Sequence, residues 1–214
     1  MKTVAITGNI GSGKSWVCEL YKQHLDIPVY NSDDAAKRMY FQPDVRKTLV
    51  QRFGKEFYLS DIELNRPLIA ELIFHDETAQ RDLEGILYPA LFVDFAQWMA
   101  NQDAPYVLFE SALVFEKRLE RRFDTVVMVS ASEETRLRRV MEREHCSEAT
   151  VRARMAKQWP EEGKRLLADY VIWHEHDDED EALLEQIKRF IPLSNNPSPS
   201  TTKGGTHYGC LLFA

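Results

Sequence analysis

Five short runs of β-branched and aromatic residues punctuate the chain: 3–7 (TVAIT), 27–30 (IPVY), Tyr106–Glu110 (YVLFE), 125–129 (TVVMV) and Tyr170–Trp173 (YVIW). Most are almost wholly apolar instead of alternating, as in strands buried on both faces of a parallel sheet. Helical periodicity fills the intervals, beginning at 14–24. Strand and helix in alternation predict βαβ units and a doubly wound α/β fold.

The interval between the second and third strands is long. Residues 34–104 read as several helices (34–40, 44–53, 66–74 and 77–100), which predicts a helical insertion forming a second lobe for substrate. A further polar helical segment, 133–157, carries Arg136, Arg138, Arg139, Arg143, Arg152 and Arg154. Beyond Pro192 the text SNNPSPSTTKGG turns to Ser, Pro, Asn and Gly, which predicts a disordered tail over 193–214. No internal repeat is present.

Composition narrows the class. A chain of 214 residues with 44% hydrophobic content suits one globular domain with small insertions. A net charge of −7 argues against a broad basic face for nucleic acid, although 27 Lys and Arg leave room for a local basic funnel. Cys18, Cys146 and Cys210 form no C-x-x-C pair, against a disulfide framework or a zinc site. The closing CLLFA is no prenylation box, because Cys210 stands one position too far from the end. Met1-Lys2 runs straight into a strand, and no apolar run approaches the roughly 20 residues of a membrane helix. The expectation is a soluble, cytoplasmic protein, monomeric or weakly homo-oligomeric, without nucleic-acid or membrane partners.

The first strand stops at a phosphate-loop motif. Gly8-Asn9-Ile10-Gly11-Ser12-Gly13-Lys14-Ser15 fits G-x-x-x-x-G-K-S/T between a strand and a helix, which is the confirming context. Glycines let backbone N–H groups turn inward as an anion nest, and the next helix adds its positive N-terminal end. Lys14 can reach the β and γ phosphates, and the Ser15 hydroxyl can ligate Mg²⁺. Residues 8–15 with Trp16 are thus the candidate ATP site. The fold class becomes a P-loop NTPase-type, doubly wound, parallel five-stranded sheet flanked by helices. Its nucleotide-binding core is 1–33 and 105–192, with a helical lid at about 133–158 and the acceptor insertion at 34–104.

Asp33 and Asp34 follow the second strand, where open α/β sheets bind ligands. Two compatible readings fit. One is a carboxylate that orients an acceptor hydroxyl and takes its proton; the other is the N-cap of a helix starting at Ala35. Glu110 closes the third strand and can hold Mg²⁺ through water, or be a polar strand end. The arginines of 133–157 can clamp phosphates, Arg138 and Arg143 foremost, or lie on a solvated face; Gln158 is a weaker candidate. His174-Glu175-His176-Asp177-Asp178 reads as a solvated loop sooner than a metal cluster, and Phe74, Tyr88 and Trp98 as core.

TGNIGSGKS followed by VYNSDDAAKR resembles the dephospho-CoA kinase family, which reads T-G-G-I-G-S-G-K-S and then D-A-D-x-x-A-R. Asp33 falls on the last Asp of D-A-D. The likeness runs to about residue 190 through LNRPLIAELIF, LYPAL, YVLFESALVFE, RLRRVMERE and VRARMAKQWPEEGKRLLADYVIWH. Asn9, Asn31, Lys37, Tyr88, Ala112 and His174 depart from the family pattern. The resemblance implies transfer of the γ-phosphate of MgATP to the ribose 3′-hydroxyl of dephospho-CoA. It implies Asp33, Lys14, Arg138 and Arg143 as catalytic groups, and Asp33, Lys37, Arg66, Tyr88 and Glu116 as acceptor contacts. Ser15, and Glu110 through water, would hold the metal. On the fold and loop alone, another small-metabolite or nucleoside kinase and a non-catalytic nucleotide switch stay open.

Overall fold

The computed structural model describes residues 1–175 and 180–190. In chain order the elements are β1 (Lys2–Thr7), α1 (Lys14–Leu25), β2 (Val29–Asn31), α2 (Ser32–Met39), α3 (Pro43–Phe53), β3 (Tyr58–Ser60) and β4 (Glu63–Leu64). Then come α4 (Arg66–His75), α5 (Glu77–Ala100), β5 (Tyr106–Glu110), β6 (Thr125–Ser130) and α6 (Glu133–Glu144). α7 (Glu148–Met155), α8 (Glu161–Leu167), β7 (Tyr170–Trp173) and α9 (Asp180–Arg189) complete them.

The five predicted strands form one parallel sheet in the order β2-β5-β1-β6-β7. The chain leaves β1 in one direction to β2 and later crosses it to reach β6. The topological switch point, where such sheets bind ligands, therefore lies at the carboxyl ends of β1 and β5. Register places Ile6, Glu110 and Asn31 side by side there.

Both faces are covered, which is why the strands read as unbroken apolar runs. Val4, Ile6, Leu108, Val127 and Val129 pack on α1 and α9 through Val17, Leu20, Tyr21 and Ile187. Their alternates Ala5, Val107, Phe109 and Val126 point the other way, onto Met39, Leu91, Phe95 and Phe115. A third cluster, Val45, Leu49, Phe57, Ile69 and Leu83, knits α3, α4 and α5 together.

Some expectations change. The segment 133–157 is two helices, because His145 turns left-handed at φ 50° and the Ser147 hydroxyl then caps α7 at the Thr150 N–H. The β3–β4 hairpin and helix α8 are short, and they and α9, whose Leu183, Leu184 and Ile187 mark one buried face, were not separately predicted. The expected tail, 193–214, and His176, Asp177 and Asp178 lie outside the described residues. Among the described residues, no helix is long and apolar enough to cross a membrane.

Candidate active site

The phosphate loop runs from β1 into α1 at the switch point. Gly11 and Gly13 have φ of +80° and +85°, and a Cβ on them would lie 2.4 Å from the Arg136 carbonyl oxygen and 2.1 Å from His174 Nδ1. Any side chain would thus meet both strain and collision. No side chain caps α1. Its first-turn N–H groups lack intrahelical acceptors by construction, so they are presented to whatever fills the loop. Ser12 Oγ is buried without a partner in the same loop. This is a cradle fitted to an anion.

Glu110 is the hub beside it. Its Oε1 accepts from Lys14 Nζ at 2.5 Å and Ser15 Oγ at 2.6 Å, and its Oε2 from Asn31 Nδ2 at 2.9 Å. Burial alone would raise its pKa, but the Lys14 charge and the three hydrogen bonds outweigh burial and hold it below the usual carboxylate range. Asn31 serves a second purpose, since its Oδ1 accepts from the Asp34 N–H at 2.9 Å and caps α2. An Asp here could cap but could not donate to Glu110, and would set a second negative charge against it.

That cap removes the N-cap reading of Asp33 and Asp34. Neither carboxylate caps α2. Asp34 pairs with Lys37 at 2.7 Å on the surface. Asp33 is exposed and lines two cavities at once. One is the phosphate cleft, of about 540 Å³, walled by residues 8–16 with Ala112, Arg139, Arg143, Arg154 and Gln158. The other, of about 250 Å³, lies between α2 and α5 and includes Tyr88. A third cavity of about 420 Å³ shares Tyr40 and Ile73 with the second and carries Lys37 and Arg66.

The arginines sort by helical phase. Arg139 and Arg143, one turn apart on α6, reach the cleft. Arg138, rotated about 100° from Arg139, is exposed and does not line it, a correction to the sequence expectation. Arg139 donates to the carbonyls of His174 at 3.0 Å and Ser12 at 3.4 Å, bracing the loop. Arg143 is held by Glu144 at 2.6 Å, and Arg154 by the same carboxylate.

Glu116 is also placed differently from expectation. The turns after β5 carry it to the fully buried Lys164 of α8, and its Oε1 also accepts from the Trp159 N–H at 3.3 Å. Tertiary structure also accounts for Asn9 and Trp16. Asn9 Nδ2 donates to the Trp159 carbonyl at 3.1 Å, while the Ile10 N–H donates to Gln158 Oε1 at 2.8 Å. Trp16 edges the cleft and donates to Asp180 Oδ1 at 2.8 Å. Sequence reasoning missed Gln80, Glu84 and Ser111, which line the second cavity. The i, i+4 spacing of Gln80, Glu84 and Tyr88 on α5 was the available signal.

A parallel sheet with its phosphate loop at the switch point, an adjoining carboxylate hub and an arginine-walled cleft define a P-loop kinase fold. The chain belongs to the dephospho-CoA kinase family: the family described as CoaE, dephospho-CoA kinase, matches residues 2–180. Dephospho-CoA kinase of Syntrophotalea carbinolica is 35% identical over 213 residues, covering 93% of this chain and 97% of that protein. That of Porphyromonas gingivalis is 34% identical, covering 94% and 98%. The crystal structure of TT1252 from Thermus thermophilus superposes with a TM-score of 0.77 at 32% identity, covering 88% of this chain and 94% of that one. Dephospho-CoA kinase from Campylobacter jejuni, at 21% identity and a TM-score of 0.60 over 87% and 94%, shares the fold.

Proposed function

We propose that the protein transfers the γ-phosphoryl group of ATP to the ribose 3′-hydroxyl of dephospho-CoA in the cytoplasm, without nucleic-acid or membrane partners. The observation that carries this reading is the position of Asp33, whose side chain lines both the phosphate cleft and the cavity beside it. A hydroxyl presented from the cavity meets the terminal phosphate at that carboxylate. The acceptor identity comes from the family, whose curated relatives bear the name dephospho-CoA kinase.

The residues divide the work. The loop amides and the α1 N-terminus hold the β and γ phosphates. Lys14 leaves Glu110 for the transferring phosphoryl group, with Arg139, Arg143 and Arg154 of the same cleft to neutralise charge. Asp33 orients the 3′-hydroxyl and accepts its proton. The 3′-oxygen then bonds to the γ-phosphorus as the bond to the β–γ bridging oxygen breaks, its electron pair leaving with ADP. The Ser15 hydroxyl and Glu110, hard oxygen donors set 2.6 Å apart, fit Mg²⁺ directly and through water. When bound, that ion neutralises charge on the β and γ phosphates. Helices within 34–104 cradle the acceptor. Residues 133–158 act as a lid that excludes water, which would otherwise take the phosphate.

The test is a steady-state assay with dephospho-CoA against a panel of nucleosides and nucleotides. Turnover with dephospho-CoA is expected to dominate. Turnover of another acceptor with none on dephospho-CoA overturns the reading.

A further inference from the structure

We propose that the cavity between α2 and α5 holds the purine base of the acceptor, and that Glu84 reads the exocyclic amino group of adenine. The inference rests on the acceptor reading above and assigns the parts of that acceptor to separate cavities.

With the 3′-hydroxyl at Asp33, an adenosine 5′-diphosphate moiety has two directions to extend. One carries a neutral base, the other an anionic diphosphate. The cavity of about 250 Å³ is small beside the roughly 300–1,000 Å³ of pockets for whole ligands, and suits a single ring system. It contains the carboxylates of Asp33 and Glu84, and the Lys117 ammonium beside it is committed to Glu84 at 2.5 Å. A diphosphate is repelled there, whereas a neutral base is not. The adjoining cavity shares Tyr40 and Ile73 with it and is lined by Arg66 and Lys37 against the single carboxylate of Glu63; Lys37 pairs with Asp34 on the surface, so Arg66 is its main cation for the diphosphate.

The walls match an aromatic base with a polar edge. α5 presents two parallel stripes to the cavity: Leu83, Leu87 and Leu91, and beside them Gln80, Glu84 and Tyr88. The leucines cover the ring faces. On the polar stripe Gln80 Nε2 donates to Glu84 Oε1 at 3.0 Å, and Lys117 donates to the same oxygen. Glu84 Oε2 is left to accept from an amino group. Burial first, then the charges of Glu84 and Asp33, push the Tyr88 phenol up, so it stays a donor for a ring nitrogen. An acceptor beside a donor is the complement of the adenine amino group and its neighbouring ring nitrogen. Hypoxanthine, with a carbonyl there, would set an oxygen against a carboxylate.

The test compares dephospho-CoA with its hypoxanthine analogue in kcat/KM. Wild type is expected to favour adenine by about ten- to a hundredfold, the discrimination that a two-point contact to a base edge supplies. In Glu84→Gln, whose amide can donate to the carbonyl, the preference is expected to collapse while KM for ATP stays unchanged. Leu87→Trp, which fills the cavity, is expected to raise the KM for dephospho-CoA at least tenfold without raising that for ATP. Retained discrimination in Glu84→Gln, or an unchanged acceptor KM in Leu87→Trp, overturns the assignment. Wild type that does not phosphorylate dephospho-CoA at all overturns instead the function on which it rests.

Discussion

The phosphate cleft is a backbone structure, and the cavity between α2 and α5 is a side-chain structure. In the cleft, the loop leads into the uncapped start of α1, and Gly11 and Gly13 sit where any Cβ would collide. In the cavity, stripes from α5 face residues of α2 and of the turns after β5. Backbone recognition tolerates little change at its glycines, because conformation itself is the binding element. A lining of side chains can be rewritten residue by residue, so on the proposed roles acceptor choice is open to retuning while phosphate binding is not. Asp33 belongs to both, and so does the sharpest test of the comparison.

The largest expected effect comes from breaking that junction. Asp33→Asn should lower kcat by about 10²–10⁴-fold, the usual worth of a positioned acid–base group, while calorimetry finds ATP binding nearly intact. Unchanged turnover would remove Asp33 from the proton's path. Next comes the backbone side. Gly13→Ala should lose on the order of 10²-fold in kcat/KM for ATP, the cost of misplacing reacting groups by about 1 Å. Adding His174→Ala removes the collision at 2.1 Å but not the left-handed strain at φ +85°, so rescue should be partial. Full rescue would show that crowding, not conformation, makes glycine necessary.

A smaller effect is expected at the hub. Glu110 has a lowered pKa in the folded protein, so it binds its proton less readily than in the unfolded chain. It therefore stabilises the fold above its ordinary value near 4.5, and that stability is lost as pH falls through the lower folded value. Asn31→Asp removes the hydrogen bond to Oε2 and adds a like charge, costing about 1–3 kcal/mol near neutral pH. The added charge also raises the Glu110 pKa toward its unfolded value, so the acid-linked loss shrinks and the gap between the two proteins narrows as pH falls. Thermal melts of both proteins from about pH 3 to 7 check this, and a gap that stays constant across that range would contradict it. The smallest effect is at Asn9. Asn9→Ala removes the tie to the Trp159 carbonyl and should cost about 0.5–1.5 kcal/mol in chemical denaturation, with KM for dephospho-CoA unmoved.

Much of the cleft was legible because its determinants are contiguous. Eight residues in fixed spacing specify the loop, and apolar runs announce strands covered on both faces. The strand order, and thus the switch point, needed the topology. Arginine phase misled because a charge-rich segment carries weak facing information. Arg138 turned outward while Arg139 and Arg143 reached the cleft. Glu116 went to Lys164 for a reason invisible along the chain, since a buried ammonium 48 positions away needed a carboxylate. Asn31 looked like a loss of the family's Asp until its amide was seen spanning the α2 cap and Glu110.

By itself, then, the sequence determined what local rules can encode. These are the parallel α/β class, the phosphate loop and its lysine and serine, and a carboxylate after the second strand. Only the tertiary structure decided which groups meet. It joined Glu110 to Lys14, Ser15 and Asn31, freed Asp33 from capping, and set Gln80 and Glu84 across from Asp33. The physical reason is range. Periodicity, glycine spacing and capping act over a few residues, whereas a binding cavity is bounded by side chains whose proximity exists only once the sheet has been ordered and both its faces covered.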